Sequence, residues 1–222
     1  MSVVVPTLNA AGTLPATLAA LGGAAQEVVV ADGGSSDGTP TVAAALGARV
    51  LAAPRGRGAQ LAAGAQVARG DWLLFLHADT VLAPGWARAA AGFAADPANA
   101  GRAAYFRFAL DDPAPQARRL ERLVAWRCRW LALPYGDQGL LIARRLYESL
   151  GGFRPELPLM EDVDLVRRLG RRRLVALDVP AVTSAARWRA QGWKRRSARN
   201  LACLALWCLG VPARRLAPLY GR

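Results

Sequence analysis

Asp32 ends a Val-Val-Val-Ala run and is followed by Gly33, Gly34, Ser35, Ser36, Asp37, Gly38 and Thr39. An acidic residue in that place can accept hydrogen bonds from a ribose or a base, while the glycines let a ligand approach the backbone. A tight turn with Ser36 or Asp37 capping the next helix accounts for the same residues. A second apolar run, Leu73-Leu74-Phe75-Leu76, delivers His77 and Asp79. In an extended chain these two side chains point to one side. A carboxylate there suits a divalent cation, whose hard charge takes oxygen ligands and can bridge a diphosphate. Asp79 is the expected metal ligand; His77, the only histidine, comes second, because a lone histidine is more often a packing residue. A third stretch carries Glu161, Asp162 and Asp164 just before Leu165, Val166 and Leu169. Those apolar residues form a core-facing stripe, which puts Glu161 and Asp162 at a loop-to-helix junction that can present a general base to a cleft. The positive end of that helix accounts for the same carboxylates.

The elements that must hold these residues are legible in outline. Ser2 to Pro6, Glu27 to Ala31, Ala48 to Ala52 and Asp71 to Leu76 are short apolar runs, and alanine-rich stretches of helical length separate them at Ala11 to Leu21, Thr39 to Leu46 and Gly58 to Ala68. Strand and helix alternating at this interval imply βαβ units and a parallel sheet covered on both faces. Ligands then bind beyond the carboxyl ends of the strands, where Thr7, Asp32 and Asp79 fall. Further on, the spacing predicts a helix over Pro84 to Ala95, a strand over Ala103 to Leu110 and an amphipathic helix over Pro115 to Leu133. Helices are also expected at Arg144 to Leu150, Asp162 to Leu169 and Trp193 to Leu209. The length of 222 residues suits one α/β domain with a small appendage.

Taken in order, Val-Pro-Thr-Leu-Asn (residues 5–9), the Asp32 to Thr39 stretch, Leu-His-Ala-Asp-Thr (76–80), Gly136-Asp137-Gln138-Gly139, Gly151-Gly152-Phe153 and Glu161-Asp162 resemble a family 2 glycosyltransferase, over nearly the whole chain. The form of these motifs, with Thr183-Ser184-Ala185 and Trp188, is most similar to the small subfamily called arsenosugar-biosynthesis glycosyltransferase-like. The resemblance implies a GT-A fold, which is a Rossmann-like, mostly parallel sheet flanked by helices, here with a basic amphipathic helical tail. It implies an inverting enzyme that takes a sugar from a nucleoside-diphosphate sugar with the help of Mg2+ or Mn2+. Carried over by position, Pro6, Thr7 and Asn9 would line the nucleoside site, Asp32 and Gly33 would meet the base or ribose, and Arg57 would face the nucleotide. Asp79 would bind the metal, with His77 standing where many relatives have the first aspartate of Asp-x-Asp. Gly136, Asp137, Gln138 and Trp188 would form the acceptor side. Asp162 would be the base, with Glu161 beside it. The chain departs from the family pattern at Ala10, Ala62 and Ala186 as well as at His77.

Charge bears on partners. The net charge is +13, yet Lys194 is the only lysine, a skew that reflects composition as much as function. Placement says more: from Arg187 onward nine residues are basic and none is acidic, which favours an anionic partner. Trp193, Leu201, Leu204, Leu206 and Trp207 lie among Lys194, Arg195, Arg196 and Arg199, as expected of a helix on an anionic membrane surface. Packing of that apolar face on the domain fits the pattern equally. The reading is therefore a catalytic domain over 1–190 and a basic, apolar extension over 191–222. Aromatic residues do not alternate with arginines as a single-strand platform requires, so no nucleic-acid partner is expected. Cys128, Cys203 and Cys208 have neither disulfide nor zinc spacing, and the chain enters its first strand without a signal segment, so a cytoplasmic setting at the inner membrane face is expected. The acceptor, lipid-linked or small, is not readable. A nucleotidyltransferase-like enzyme is the rival reading, although the loop after the first strand lacks its glycines and basic residue; a non-catalytic scaffold or binding protein of the same fold is another.

Overall fold

The computed structural model describes residues 1–220; Gly221 and Arg222, the end of the basic stretch, lie outside the described residues. Four strands, β1 (Ser2–Thr7), β2 (Glu27–Asp32), β3 (Arg49–Ala52) and β4 (Trp72–Phe75), run parallel in the order β3-β2-β1-β4. Helices α1 (Leu14–Leu21), α2 (Thr39–Ala45) and α3 (Arg57–Val67) connect them, as expected from the alternating pattern. Valine runs are stiff at χ1 and pack well on a pleated surface, and the period of two divides them between two cores. Val3, Val5 and Leu74 face α1 and α4 (Trp86–Ala95), whereas Val4, Leu73 and Phe75 face α3 and the helices α6 (Arg144–Ser149) and α7 (Glu161–Leu169).

Beyond β4 the sheet is mixed. β7 (Leu140–Ala143) pairs antiparallel with β4, β6 (Ala103–Leu110) antiparallel with β7, β8 (Leu174–Thr183) parallel with β6, and β5 (Thr80–Leu82) antiparallel with β8. The sequence reading contained neither β5, β7 nor β8. β8 is interrupted by Asp178 and Pro180, and its register against β6 shifts between Phe106 and Arg107, a bulge that accommodates a proline lacking an N–H to donate.

Helix α5 (Pro115–Leu131) covers β6 through Ala117, Val124 and Cys128. Helices α8 (Ala186–Gln191), α9 (Trp193–Cys208) and α10 (Ala213–Tyr220) close the chain. Cys203, Leu204 and Leu216 are buried against Leu159, Met160 and Val163 beside α7, so part of the apolar face of α9 is used inside the molecule. Among the described residues no helix is long and apolar enough to cross a membrane.

Candidate active site

The chain segments that follow β1 and β4 open on a cleft of about 540 Å3, whose lining includes Pro6, Thr7, Asn9, Arg57, His77 and Asp79. Arg55, Pro158, Ser184, Arg187 and Ala217 line it too. Arg55, Pro158 and Ala217 were not named as site residues from the sequence, whereas Ser184 lay in a motif of the resemblance and Arg187 opened the basic stretch. Ala217 is on α10, so the C-terminal extension reaches the cleft.

Asp32 lies just under this cleft. Its Oδ1 accepts from Thr7 Oγ1 (2.8 Å) and Ser35 Oγ (2.5 Å), and its Oδ2 from the backbone N–H groups of Gly34 (3.0 Å) and Ser35 (2.8 Å). Burial opposes its ionisation, but the bonds from Ser35, Thr7 and Gly34 outweigh it and hold the carboxyl below the usual aspartate range. Each of its four lone-pair directions is thus committed to the loop. Asn9 sits in the left-handed region (φ 52°) and ties the two loops together, its Oδ1 accepting from Ser36 N (2.9 Å) and its own N–H donating to Ser35 Oγ (2.8 Å). Asp37 accepts from Thr39 N (3.0 Å), the first residue of α2, and from Ala11 N (3.0 Å). The turn reading is thus realised at Asp37, which accepts from the first N–H of α2, whereas Asp32 and Gly33 do not line the cleft. Gly33 donates its N–H to Thr7 O (2.9 Å) and lies against the side chain of Gln60, leaving little space for a Cβ.

His77 lines both the cleft and a small neighbouring pocket, a void of about 20 Å3 bounded also by Tyr135, Gly136, Glu161 and Asp162. That void is about the size of one water. Arg57 Nη1 lies 3.2 Å from His77 Nε2. A guanidinium only donates, so Nε2 is the unprotonated nitrogen and its lone pair is used by Arg57. Arg57 Nε in turn lies 2.7 Å from Glu161 Oε1, and Glu161 is 0% exposed. The expected catalytic role of Glu161 is corrected by this burial: it anchors Arg57 and does not face a substrate.

Asp162 is set at the first turn of α7. Its Oδ2 accepts from Gly136 N (2.7 Å) and its Oδ1 from Val163 N (2.8 Å). It borders the small void and not the main cleft, so the proposed base stands behind His77. Asp164, the third acid of that turn, pairs with Arg168 (2.6 Å) and Arg154 (3.2 Å) and is structural.

The acceptor-side residues separate. Gly136 packs on His77, and Asp137 holds Thr183 Oγ1 on its carbonyl (3.1 Å). The residue is only partly covered, but its Oδ1 has no exposed surface and no hydrogen-bond partner. Burial first, and then the nearby carboxylates of Asp162 and Asp79, push its carboxyl up to about 6 against the opposing effect of Arg127 and Arg57. Gln138, expected among the acceptor contacts, is 2% exposed and turned inward; its Nε2 donates to Phe106 O (3.1 Å) and its Oε1 faces Cys128, Tyr135 and Arg127. Trp188 is likewise buried, stacked on Trp193 with Arg196 over its ring. Both expectations of direct acceptor contact are corrected: these side chains hold the loop and α8 in place.

Against this geometry, the model of the family described as glycosyl transferase family 2 matches residues 2–147. The chain belongs to glycosyl transferase family 2. It is a glycosyltransferase, and its mixed sheet is of the GT-A type. Its solved neighbours in fold include glucosyl-3-phosphoglycerate synthase from Mycobacterium tuberculosis in complex with Mn2+ and UDP-glucose, at a TM-score of 0.59 and 20% identity, covering 82% of this chain and 70% of that one. Mannosyl-3-phosphoglycerate synthase from Rubrobacter xylanophilus aligns at 0.56 and 21% identity over 82% and 65% of the two chains. S. aureus TarS 1–349 aligns at 0.63 and 16% identity over 99% and 68%. No curated protein sequence matches the chain. At these identities the structural neighbours establish the fold alone.

Proposed function

We propose that this family 2 glycosyltransferase moves a sugar, with inversion, from a nucleoside-diphosphate sugar to an acceptor hydroxyl, assisted by Mg2+ or Mn2+. The observation that carries this reading is one cleft at the carboxyl ends of the parallel strands that joins a loop-bounded pocket at Thr7 and Asn9, cations at Arg55, Arg57 and Arg187, and a carboxylate at Asp79. The mycobacterial neighbour, solved in complex with Mn2+ and UDP-glucose, supports it.

The residues present fit a divalent cation. Among the described residues no group of three or more His, Cys, Asp or Glu side chains gathers as a metal site; in this reading Asp79 would hold the cation together with donor phosphates and water, as Mg2+ sites commonly allow. The orphaned oxygen of Asp137, near Asp79 and Asp162, carries negative charge that Arg127 and Arg57 offset in part and that a bound cation would relieve further. His77 Nε2 lies against Arg57, so a second-ligand role for His77 would fall to its other ring nitrogen. When bound, the cation would neutralise charge developing on the leaving diphosphate.

The chain's own groups carry the rest. Thr7, Asn9 and the Asp32 loop would seat the nucleoside, and Arg55, Arg57 and Arg187 would face the diphosphate. As the acceptor oxygen bonds to the anomeric carbon and the carbon–phosphate-oxygen bond breaks, Asp162 would take the hydroxyl proton, its geometry fixed by Gly136 N. The acceptor is a lipid-linked or small alcohol reached from the Gly136 and Asp137 side. Residues 1–190 form the catalytic unit in this reading, and the helices beyond it complete the cleft rim at Ala217.

The test is the thermal stability of the purified protein against a panel of nucleoside diphosphates and nucleotide sugars, with and without Mn2+ or Mg2+. A ligand at a hundred times its Kd adds about 2.7 kcal/mol, or roughly 5–10 °C for a chain of this length. A metal-dependent shift from one nucleotide, lost in Asp79→Ala, is the expected result. No shift from any of them would overturn the reading.

A further inference from the structure

Helix α5 has two apolar faces. Ala117, Val124 and Cys128 bury one against β6, as an ordinary surface helix does. Leu123, Trp126 and Trp130 are 64%, 55% and 54% exposed, and at spacings of three and four residues they fall on one stripe of the opposite face. Indole rings have an apolar body and a polar N–H, and two of them standing in water at neighbouring turns is a costly use of a solvent-facing helix.

The stripe is framed by cations. Arg119, Arg122 and Arg129 are exposed along it, and Arg171 donates to the backbone carbonyls of Trp130 (3.1 Å) and Arg129 (3.2 Å), adding a charge at the helix's C-terminal end. The acids nearby are engaged elsewhere: Glu121 pairs with Arg118 (2.9 Å) and Asp112 with Arg189 (2.9 Å). From these observations we infer that α5 is the surface by which this protein docks on an anionic lipid bilayer, its tryptophans in the headgroup region and its arginines on the lipid phosphates. A second copy of the chain is the poorer occupant, because a two-fold contact through this stripe brings the arginines of both copies together. The sequence expectation put the membrane face on the C-terminal helix, where Leu204 is buried and Leu201 exposed; the present proposal places it on α5. The chain leaves α5 through a short non-helical segment, Ala132 to Tyr135, into Gly136 and Asp137, so docking would place the acceptor side of the proposed site next to the lipid surface. That consequence rests on the functional reading above; the docking itself does not.

The experiment is co-sedimentation of the full-length protein with vesicles of phosphatidylcholine alone or containing phosphatidylglycerol, at low and high salt, with tryptophan emission recorded on the same samples. Binding only to the phosphatidylglycerol vesicles, with a blue shift and loss at high salt, is expected. Arg119→Gln and Arg122→Gln should each weaken it about five-fold, and Trp126→Ser with Trp130→Ser at least ~10-fold. Leu201→Ser, an exposed apolar position on α9 (66%), should leave it unchanged. Absence of binding to anionic vesicles, or binding that the tryptophan pair does not affect, would overturn the proposal. So would a dimer in light scattering that the pair of substitutions dissolves, since the stripe would then belong to a second copy. The nucleotide-induced rise in Tm should persist in the tryptophan variant, and vesicle binding in Asp79→Ala, so the failure of either reading leaves the other measurable.

Discussion

Asp137→Asn offers the sharpest test of the site's electrostatics. In the folded chain the Asp137 carboxyl is pushed up to about 6, from 3.8, by burial and by the carboxylates of Asp162 and Asp79. A difference of about two units at ~1.36 kcal/mol each is about 3 kcal/mol. The folded value lies above the unfolded one, so the stability associated with the bound proton is complete below about pH 4 and is lost as pH rises through about 6. An asparagine of the same shape stays neutral throughout. Relative to the parent, the variant should therefore gain up to about 3 kcal/mol between pH 4 and pH 8, or roughly 6–12 °C in Tm. The amide's own unsatisfied groups cost about 1–3 kcal/mol, which offsets both ends of the curve equally and leaves the pH-dependent part intact. Melting curves of both proteins from pH 4 to 8, with chelator present, measure it directly. A difference that stays constant across that range would refute the argument that Asp137 carries a buried, uncompensated charge.

Three other substitutions probe the surrounding machinery. A Cβ on Gly136 would stand 2.5 Å from His77 Nε2 but at ordinary contact, 3.4 Å, from Asp162 Oδ2; Gly136→Ala should push the His77 ring aside and lower turnover at least ~10-fold, and unchanged turnover would show that this packing is dispensable. Glu161→Gln leaves the mostly buried Arg57 without its carboxylate, at a cost of about 3 kcal/mol; a calorimetric Tm within a degree or two of the parent would contradict that. Asp162→Asn should reduce kcat at least ~100-fold while leaving donor affinity nearly intact, and near-normal turnover would remove Asp162 as the base.

The sequence by itself determined the first half of the fold and the order of the motifs. Val3 to Val5 and Val28 to Val30 are β-branched runs, and the alanine-rich stretches between strands have the right length for crossover helices, so the parallel unit follows from local preference and period. Asp79 at the end of β4 and Asp162 at the start of α7 follow the same way, because each is marked by the end of one apolar pattern and the start of another. β5 and β8 do not: Thr80 pairs with Thr183, a hundred residues away, and a strand of three residues or one broken by Asp178 and Pro180 carries no period of its own. Only the tertiary structure decided what each polar side chain meets. Glu161 and Asp162 are neighbours in sequence, yet a turn of helix sends one into full burial against Arg57 and the other to the void behind His77. Gln138 and Trp188 carry side chains suited to a ligand and are consumed by the core. The tail presented one apolar face with two uses, and packing against α7 covered Cys203 and Leu204 while leaving Trp126 and Trp130 of α5 in the open. Period says which residues share a face; which face finds a partner depends on contacts between distant segments, and no local pattern records them.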